Sequence, residues 1–226
     1  MDIRFEEASV VYGGRVALQP LTLVLSERRI GVIGLNGSGK TTFARLVNGL
    51  VKPTSGAVTV GGLDTRADTA AVLSRVGFIF QNPQHQIIMP IVAEDIAFGL
   101  SNHGLAKDEI ARRSEAVLDR FGIAALARRR VHELSGGETQ LVAIASVVVT
   151  GPDVLILDEP TNQLDLKNRH RVEAAIAGLD QQAIVVSHDL ALLDGFDRVL
   201  LFDDGRLVAD GAPAPVIARY RALAAC

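Results

Sequence analysis

The chain has 226 residues, a formal net charge of −3 and a single cysteine, Cys226, at its last position. This charge gives no electrostatic reason to expect nucleic-acid binding. One cysteine excludes an intrachain disulfide, which favours a reducing compartment with Cys226 as an incidental exposed thiol. No apolar run approaches the roughly 20 residues that span a bilayer. The N-terminus lacks a secretory segment. If the protein acts at a membrane, we therefore expect it to do so from outside the lipid.

The N-terminal part of the chain predicts a small antiparallel sheet beside a parallel core. Residues 3–5 and 21–25 alternate between apolar and polar types, as strands with one buried face do. Residues 30–33 form a continuous apolar run typical of a buried strand, and 42–50 predict a helix that ends at a glycine. Residues 57–60 predict a further strand.

The rest of the chain alternates strands with helices, which indicates an α/β fold with a mostly parallel sheet. Residues 93–150 have a helical pattern, with the clearest amphipathic helix at 107–121, and are interpreted as an inserted subdomain. A tight hairpin is predicted around Asp204 and Gly205. The other predicted elements are strands at 76–80, 154–157, 183–187, 199–202 and 207–209, and a helix at 169–177.

A glycine-rich segment, GLNGSGKT, joins the predicted strand at 30–33 to the helix at 42–50. It fits G-x-x-x-x-G-K-[ST], whose backbone N–H groups and helix N-terminus bind phosphate. Lys40 would reach the β- and γ-phosphates, and Thr41 would place its hydroxyl on Mg²⁺. A chance glycine-rich turn is the alternative, and the flanking elements argue against it. The predicted nucleotide-binding residues here are Asn36, Gly37, Ser38, Gly39, Lys40, Thr41 and Thr42.

Two acids follow the apolar strand at 154–157, at the end where open α/β sheets bind ligands. Asp158 would hold Mg²⁺ through water. Glu159 would orient and polarise the attacking water, as a general base or by positioning it. A solvated strand end is the alternative, and the phosphate loop upstream makes the catalytic interpretation the better one.

The segment LSGGE, residues 134–138, opens a helix between these two motifs, with Ser135 as a good N-cap. In this order, the chain resembles the ATP-binding cassette ATPases over nearly its whole length. The resemblance implies a P-loop NTPase (RecA-like) α/β core with an N-terminal antiparallel β-subdomain and an inserted α-helical subdomain. The implied organisation is one domain, 1–226, in which 1–92 and 151–226 form the core and 93–150 the helical subdomain with the LSGGE signature.

Four further residues match the family in order along the chain. Tyr12 stands where an aromatic ring stacks on adenine, Gln81 where a glutamine senses the γ-phosphate and Mg²⁺, and His188 where a switch histidine lies. Asp165 ends a segment that resembles the one crossing to a partner subunit. Taken alone, Tyr12 could be an edge-strand tyrosine and His188 an ordinary core or surface histidine.

The resemblance implies an ATP-driven dimer, formed with a second copy or with a paralogous ATPase. The phosphate loop of one subunit and the signature of the other would enclose each ATP. The residues implied for this trans contact are Ser135, Gly136, Gly137 and Asp165. The implied catalytic residues are Glu159, His188, Gln81 and Lys40, and the implied Mg²⁺ residues are Thr41, Gln81 and Asp158.

Two positions depart from the family pattern. Glu138 stands where glutamine is more frequent, and Leu141 stands where an arginine is usual. An acid near a bound triphosphate is unfavourable unless it faces away. We therefore expect Ser135 and the Gly137 amide to contact phosphate, with Glu138 peripheral. The departures bear on the turnover rate and leave the reaction unchanged.

Residues 81–99 contain QNPQHQ and a later E-D-x-A-F-G. They resemble the ATPases of energy-coupling factor transporters, which import vitamins and transition-metal ions into prokaryotic cells. The resemblance implies a groove that receives a coupling helix from the transmembrane T component, at the cytoplasmic face of the inner membrane. Ile87, Ile88 and Met89 are predicted to line this partner groove. The alternative buries all three against the helical subdomain. His85 has no second metal ligand at suitable spacing and is interpreted as a surface residue.

The resemblance implies that a separate membrane subunit, the S component, selects the transported substrate. The chain ends soon after its last hairpin, like the ATPase of the biotin transporter, so biotin is favoured over cobalt or nickel. The alternatives are the ATPase of an ordinary cassette importer and a soluble cassette ATPase of translation or DNA repair. A nonhydrolysing regulator is a third, and intact Lys40, Asp158, Glu159 and His188 argue against it.

Overall fold

The computed structural model describes residues 1–101 and 104–225, so the expectation for Cys226 lies outside the described residues. The chain divides into two compact units. The first comprises Met1–Gly77, Asp153–Glu159 and the chain from Gln181 onward. The second comprises Phe78–Pro152 and Pro160–Asp180, and therefore contains all described residues of the predicted helical subdomain together with the segments on either side of it.

The described residues form two sheets, as the alternation of apolar and polar residues predicted. The strands are β1 (Ile3–Tyr12), β2 (Arg15–Leu25), β3 (Arg29–Gly34), β4 (Ser55–Val60), β5 (Leu63–Asp64), β6 (Val76–Ile79), β7 (Val154–Asp158), β8 (Gln182–Val186), β9 (Arg198–Asp203) and β10 (Arg206–Gly211). The first sheet has the order β2-β1-β4-β5 and is antiparallel throughout. This is the predicted small antiparallel sheet.

The second sheet has the order β10-β9-β3-β8-β7-β6. Strand β3 pairs in parallel with β8 and β9, and β7 pairs in parallel with β8. Every residue of β3, β7 and β8 is buried, which explains their continuous apolar sequences. Strand β10 closes one edge as the antiparallel partner of β9, through the predicted hairpin at Asp204 and Gly205.

Three α-helices belong to the first unit: α1 (Lys40–Val47), α2 (Thr69–Arg75) and α7 (Pro213–Ala224). Helix α1 connects the two sheets through aromatic packing. The ring of Phe43 stacks on Phe5 of β1 and contacts Phe202 of β9, each at 4.9 Å between ring centroids. This core holds the start of α1, and therefore the phosphate loop, in a fixed position on the end of β3.

The second unit contains α3 (Val92–Ser101), α4 (Lys107–Arg120), α5 (Gly136–Val148) and α6 (Leu166–Ala177). Helix α4 agrees with the predicted amphipathic helix, whereas α6 begins three residues earlier than predicted because Asp165 caps it. Leu141 on α5 is only 2% exposed, so the position where the family usually has an arginine is an apolar core position here. No helix within 1–101 and 104–225 is both long and apolar enough to cross a membrane.

Candidate active site

The phosphate loop connects the end of β3 to the start of α1, and its glycines have left-handed backbone conformations. Gly34 has φ +149° and Gly39 has φ +101°. A Cβ at Gly34 would collide with the backbone oxygen of Phe202, and one at Gly39 would lie 2.7 Å from the Ala17 oxygen. Glycine is therefore required by close backbone approach as well as by φ. Glycine-rich turns of this kind are typical of anion-binding nests.

Lys40, only 7% exposed, is held inside the phosphate loop. Its ammonium donates to the backbone oxygens of Gly34 at 2.7 Å and Leu35 at 2.9 Å. Burial lowers the pKa of Lys40, and the carboxylates of Glu159 and Asp158 oppose that shift. The ammonium thus lies where it can exchange two neutral carbonyl partners for phosphate oxygens.

Ser38 supports the same interpretation of the loop. Its hydroxyl is buried and has no hydrogen-bond partner among the described residues. A buried, unpaired donor is unfavourable unless a ligand satisfies it. A phosphate oxygen in the loop would do so, and the loop therefore fits the nucleotide that its sequence predicted. Asn36 and Gly37 are exposed in the same loop, and Thr42 is half-buried at the start of α1.

Asp158 ends β7, two strands from the phosphate loop, with β8 between β7 and β3. Burial raises its pKa, and Arg45, a hydrogen bond with the Thr41 side chain and Lys40 act in the opposite direction. The Thr41 hydroxyl and the Asp158 carboxylate therefore meet directly. Hydroxyl and carboxylate oxygens are the ligands that Mg²⁺ prefers, so this pair fits the ion.

Glu159 and His188 form a pair at the carboxyl ends of β7 and β8. His188 Nε2 lies 3.2 Å from Glu159 Oε1, and the His188 backbone N–H donates to Glu159 Oε2 at 3.2 Å. The Glu159 N–H donates to the Val186 oxygen at 2.8 Å, and Glu159 has φ +52°. A left-handed conformation is unfavourable for a glutamate, and such conformations concentrate at functional sites.

The electrostatics of this pair favour a neutral imidazole. Burial lowers the pKa of His188, and the positive charge of Lys40 lowers it further. Burial raises the pKa of Glu159, while the His188 N–H and Lys40 oppose the shift. A neutral His188 can donate one ring proton to the Glu159 carboxylate and thereby fix its direction. The first unit thus brings Lys40, Thr41, Asp158, Glu159 and His188 to one edge of the sheet.

Tyr12 lies at the end of β1, where the β1–β2 hairpin turns. It is 52% exposed and belongs to the same unit as the phosphate loop. Its ring is available for stacking, and its adenine contact stays a prediction.

The signature segment, residues 134–138, opens α5 with a complete capping box. Ser135 is the N-cap, its Oγ accepts from the Glu138 N–H at 3.3 Å, and Glu138 Oε2 accepts from the Ser135 N–H at 2.8 Å. The Ser135 hydroxyl itself donates to the same Glu138 oxygen at 2.9 Å. Glu138 was expected to be peripheral to the phosphate contact, and that stays a prediction. Its carboxylate is bonded directly to Ser135, the residue expected to contact the phosphate.

The two signature glycines differ in their surroundings. A Cβ at Gly136 would lie 3.7 Å from the Leu164 side chain, which is an ordinary van der Waals contact. A Cβ at Gly137 would collide with the Asn168 side chain. Asn168 is held in turn by Asp165, the N-cap of α6, which accepts from the Asn168 N–H at 2.8 Å and from Nδ2 at 3.0 Å. The Asn168 N–H lowers the pKa of Asp165. Sequence reasoning missed Asn168, and its spacing of three from a capping acid was the available signal.

Replacing Gly137 with alanine is expected to destabilise the chain by about 1–3 kcal/mol, because the new methyl group must displace Asn168. Gly136→Ala is the matched control and should be neutral or stabilising, because alanine favours a helix over glycine. Urea unfolding of both variants measures the difference. Asn168→Gly in the Gly137→Ala background should recover part of the loss. Equal stability of the two alanine variants would contradict this account.

The second unit also brings Gln81 together with the signature and the crossing segment, residues 162–165. Residues of all three segments line one cleft of about 420 Å³. Its lining includes Gln81, Asn82, Gly136, Gln140, Asn162 and Leu164. The two segments that the sequence analysis assigned to nucleotide sensing and to the partner subunit are thus neighbours within this unit.

A second cleft, of about 410 Å³, lies at residues 87–89, where the sequence predicts the partner groove, and its binding of a partner stays a prediction. It is lined by Gln84, Ile87, Ile88, Met89, Pro90, Val131 and His132. Ile88 is 69% exposed, and Ile87 and Met89 are half-buried. The alternative, in which all three apolar side chains are buried, is therefore wrong. The short helix preceding the groove is a single 3₁₀ turn, Pro83–His85, with exposed His85 near the Asn82 amide.

A buried carboxylate to which the sequence alone assigned no role holds the backbone of the groove in place. Asp95 Oδ1 accepts from the backbone N–H groups of Ile88 at 2.8 Å and Met89 at 3.1 Å. Its other oxygen accepts from the Ser146 hydroxyl on α5 at 2.8 Å. The signal was the acid in the first turn of α3, and its role requires residues far apart in sequence to meet. Asp95 thus fixes the groove backbone to the helix that carries the signature.

A phosphate loop between strand and helix, with two acids at the carboxyl end of a nearby parallel strand, defines a P-loop ATPase. Residues 18–162 match the ABC transporter family. The chain is 65% identical over 225 residues to the biotin transport ATP-binding protein BioM of Rhizobium etli, with 100% of each chain covered. It is 40% identical over 195 residues to an energy-coupling factor transporter ATP-binding protein of Levilactobacillus brevis, covering 84% of this chain and 70% of the relative.

The solved structure of cbiO1 from Clostridium perfringens, part of the ABC transporter complex cbiONQ, superposes with a TM-score of 0.87. It is 31% identical, and the match covers 99% of this chain and 93% of that one. The chain belongs to the ABC transporter family and is one of its ATP-binding ATPases. The predicted fold class and the predicted resemblance are confirmed.

Proposed function

We propose that this ATPase drives the import of biotin through a membrane transporter of the energy-coupling factor type. The 65% identity to a biotin transport protein over the full chain supports the substrate. The exposed groove at residues 87–89 carries the proposal of a membrane partner, because an apolar cleft on a protein surface is typical of an interaction site. The partners would be a transmembrane T component and a substrate-binding S component, at the cytoplasmic face of the inner membrane.

The nucleotide is proposed to bind with Mg²⁺. Thr41 would be a ligand, Asp158 would act through a water molecule, and Gln81 would complete the set. When bound, the ion would neutralise negative charge that develops on the phosphate oxygens. The contact between Thr41 and Asp158 supports this role, because it holds two oxygen ligands together beside the phosphate loop.

Hydrolysis is proposed to depend on the Glu159–His188 pair. Glu159 would orient a water molecule and accept its proton, because a buried carboxylate with a raised pKa is the better base. Without nucleotide His188 would hold the carboxylate through the 3.2 Å contact. With ATP bound, the imidazole would donate its one ring proton to the γ-phosphate instead. Gln81 would report the nucleotide state to the partner groove, which begins three residues further along the chain.

Each ATP is proposed to lie between two subunits, either two copies of this chain or this chain and a paralogous ATPase. The phosphate loop and the signature segment both offer backbone N–H groups at a helix N-terminus, and they belong to different units of the chain. Asp165 and the signature residues Ser135, Gly136 and Gly137 would contact the nucleotide of the partner subunit.

Replacing Ile88 with aspartate is expected to weaken attachment to the membrane subunits at least tenfold while ATP binding is unchanged. A charge in an apolar interface loses hydrophobic contact and must be desolvated. Co-purification of the epitope-tagged ATPase with its membrane partners from detergent measures attachment, and mass spectrometry identifies the subunits.

Leu73→Asp is the matched control, because Leu73 is 48% exposed on α2 in the other unit and lies outside the groove. It should leave co-purification unchanged. Full co-purification and full biotin uptake by an Ile88→Asp/Met89→Asp double variant would show that the groove binds no membrane subunit. Recovery of a permease pair in place of a T component would favour an ordinary importer.

A further inference from the structure

The hydroxyl group of Ser135 is already engaged within its own subunit. It donates to Glu138 Oε2 at 2.9 Å, and the Ser135 N–H donates to the same oxygen at 2.8 Å. In return, the Glu138 N–H donates to Ser135 Oγ at 3.3 Å. The donors that the signature offers at this position are therefore bonded to a carboxylate of the same turn.

The Glu138 carboxylate carries a negative charge that two arginines partly compensate. Hydrogen bonds from Ser135, first from its backbone N–H, lower the pKa of Glu138, and the positive charges of Arg129 and Arg171 lower it further. The guanidinium of Arg129 lies 3.9 Å from Glu138 Oε1, and it also donates to the Glu133 backbone oxygen at 2.8 Å. Arg129 is moreover 4.0 Å from the Glu133 carboxylate, so its charge is shared between two acids.

We propose that Glu138 opposes closure of the composite ATP site by holding the Ser135 hydroxyl and by placing a negative charge where the γ-phosphate of the partner's ATP must approach. This inference rests on the proposed trans contact of the signature. For closure, Ser135 must direct its proton to a phosphate oxygen, and the Glu138 side chain must turn toward Arg129. Glu138 is thus a positioning residue that sets how much ATP is needed for dimerisation.

The substitution Glu138→Gln removes the negative charge of the side chain and keeps its shape. The new side chain can still accept from the Ser135 N–H, so the capping box and the fold are kept, and only the negative charge is lost. Like charges brought together near a protein surface repel each other, and the repulsion is only partly screened by water. We therefore expect Glu138→Gln to lower the ATP concentration for half-maximal dimerisation by about tenfold, corresponding to about 1.4 kcal/mol.

The experiment uses the full chain with Glu159→Gln, which prevents turnover, and measures ATP-dependent dimerisation by analytical ultracentrifugation. Glu138→Gln is added to this background, and Glu115→Gln is the matched control, because Glu115 is an exposed acid on another helix, α4. The control should not shift the ATP requirement. Arg129→Gln removes one of the two compensating cations and should raise the requirement, by up to severalfold because Arg171 remains.

The outcomes separate this inference from the proposal on which it depends. If the Glu159→Gln background fails to dimerise with ATP at any concentration, also alongside its membrane partners, the composite site is wrong. If it dimerises and Glu138→Gln leaves the requirement unchanged, the composite site stands and the role of Glu138 is wrong. A higher ATP requirement for Glu138→Gln would show that the carboxylate binds the nucleotide, and would also overturn the inference.

Discussion

Replacing Glu159 with glutamine is expected to reduce ATP hydrolysis by about a hundredfold or more while ATP binding persists. The amide keeps the shape of the side chain but cannot accept a proton from water. It can still accept from the His188 N–H, which lies 3.2 Å from Glu159 Oε2, so the local backbone is kept. Phosphate release measures hydrolysis, and equilibrium titration with ATP measures binding.

Two further variants define what the Glu159 result means. His188→Ala removes the imidazole 3.2 Å from Glu159 Oε1, so it should reduce hydrolysis in the same way. Glu115→Gln changes the net charge equally at an exposed position of the other unit, on α4, and should hydrolyse ATP at the wild-type rate. Wild-type turnover by Glu159→Gln would show that another group activates the water.

Replacing Lys40 with alanine is expected to lower the affinity for ATP by roughly tenfold to a hundredfold. A charge-assisted hydrogen bond contributes about 1.5–3 kcal/mol. Lys40 is expected to make such bonds to ATP, because its buried ammonium lies within the phosphate loop, bonded to the Gly34 and Leu35 oxygens. Isothermal titration calorimetry with ATP and Mg²⁺ measures the loss.

Lys40→Ala also removes the bonds to the Gly34 and Leu35 oxygens, so the unfolding temperature must be measured with the affinity. Lys107→Ala is the control, because Lys107 is an exposed cation at the start of α4. A stable Lys40→Ala variant with wild-type affinity would place the triphosphate elsewhere.

Local sequence patterns were sufficient to predict where the phosphate loop and the strand that ends in two acids lie. A buried parallel strand has a continuous apolar sequence, and β3, β7 and β8 lie where such runs were predicted. The glycines at 34 and 39 could be interpreted from the motif alone, because a left-handed φ and close approach restrict those positions to glycine.

The surroundings of the signature could not be predicted from its own residues. Gly137 was expected to offer its amide to phosphate, and the structure shows that Asn168 of α6 occupies the side on which a Cβ would lie. Glu138 was expected to face away, whereas the capping geometry turns it onto Ser135. Both outcomes depend on how a helix start is closed and which helix packs beside it, and neither is visible in a five-residue motif.

The sequence by itself determined the class of protein, because phosphate binding and water activation require particular residue types at short, fixed spacings. Only the tertiary structure decided how distant residues meet: Glu159 with His188, Asp95 with the backbone of Ile88 and Met89, and Gly137 with Asn168. These contacts join segments that are separated along the chain, and their geometry follows from strand order and helix packing. Local sequence carries no information about such distances, because a side chain's partners are set by the whole fold.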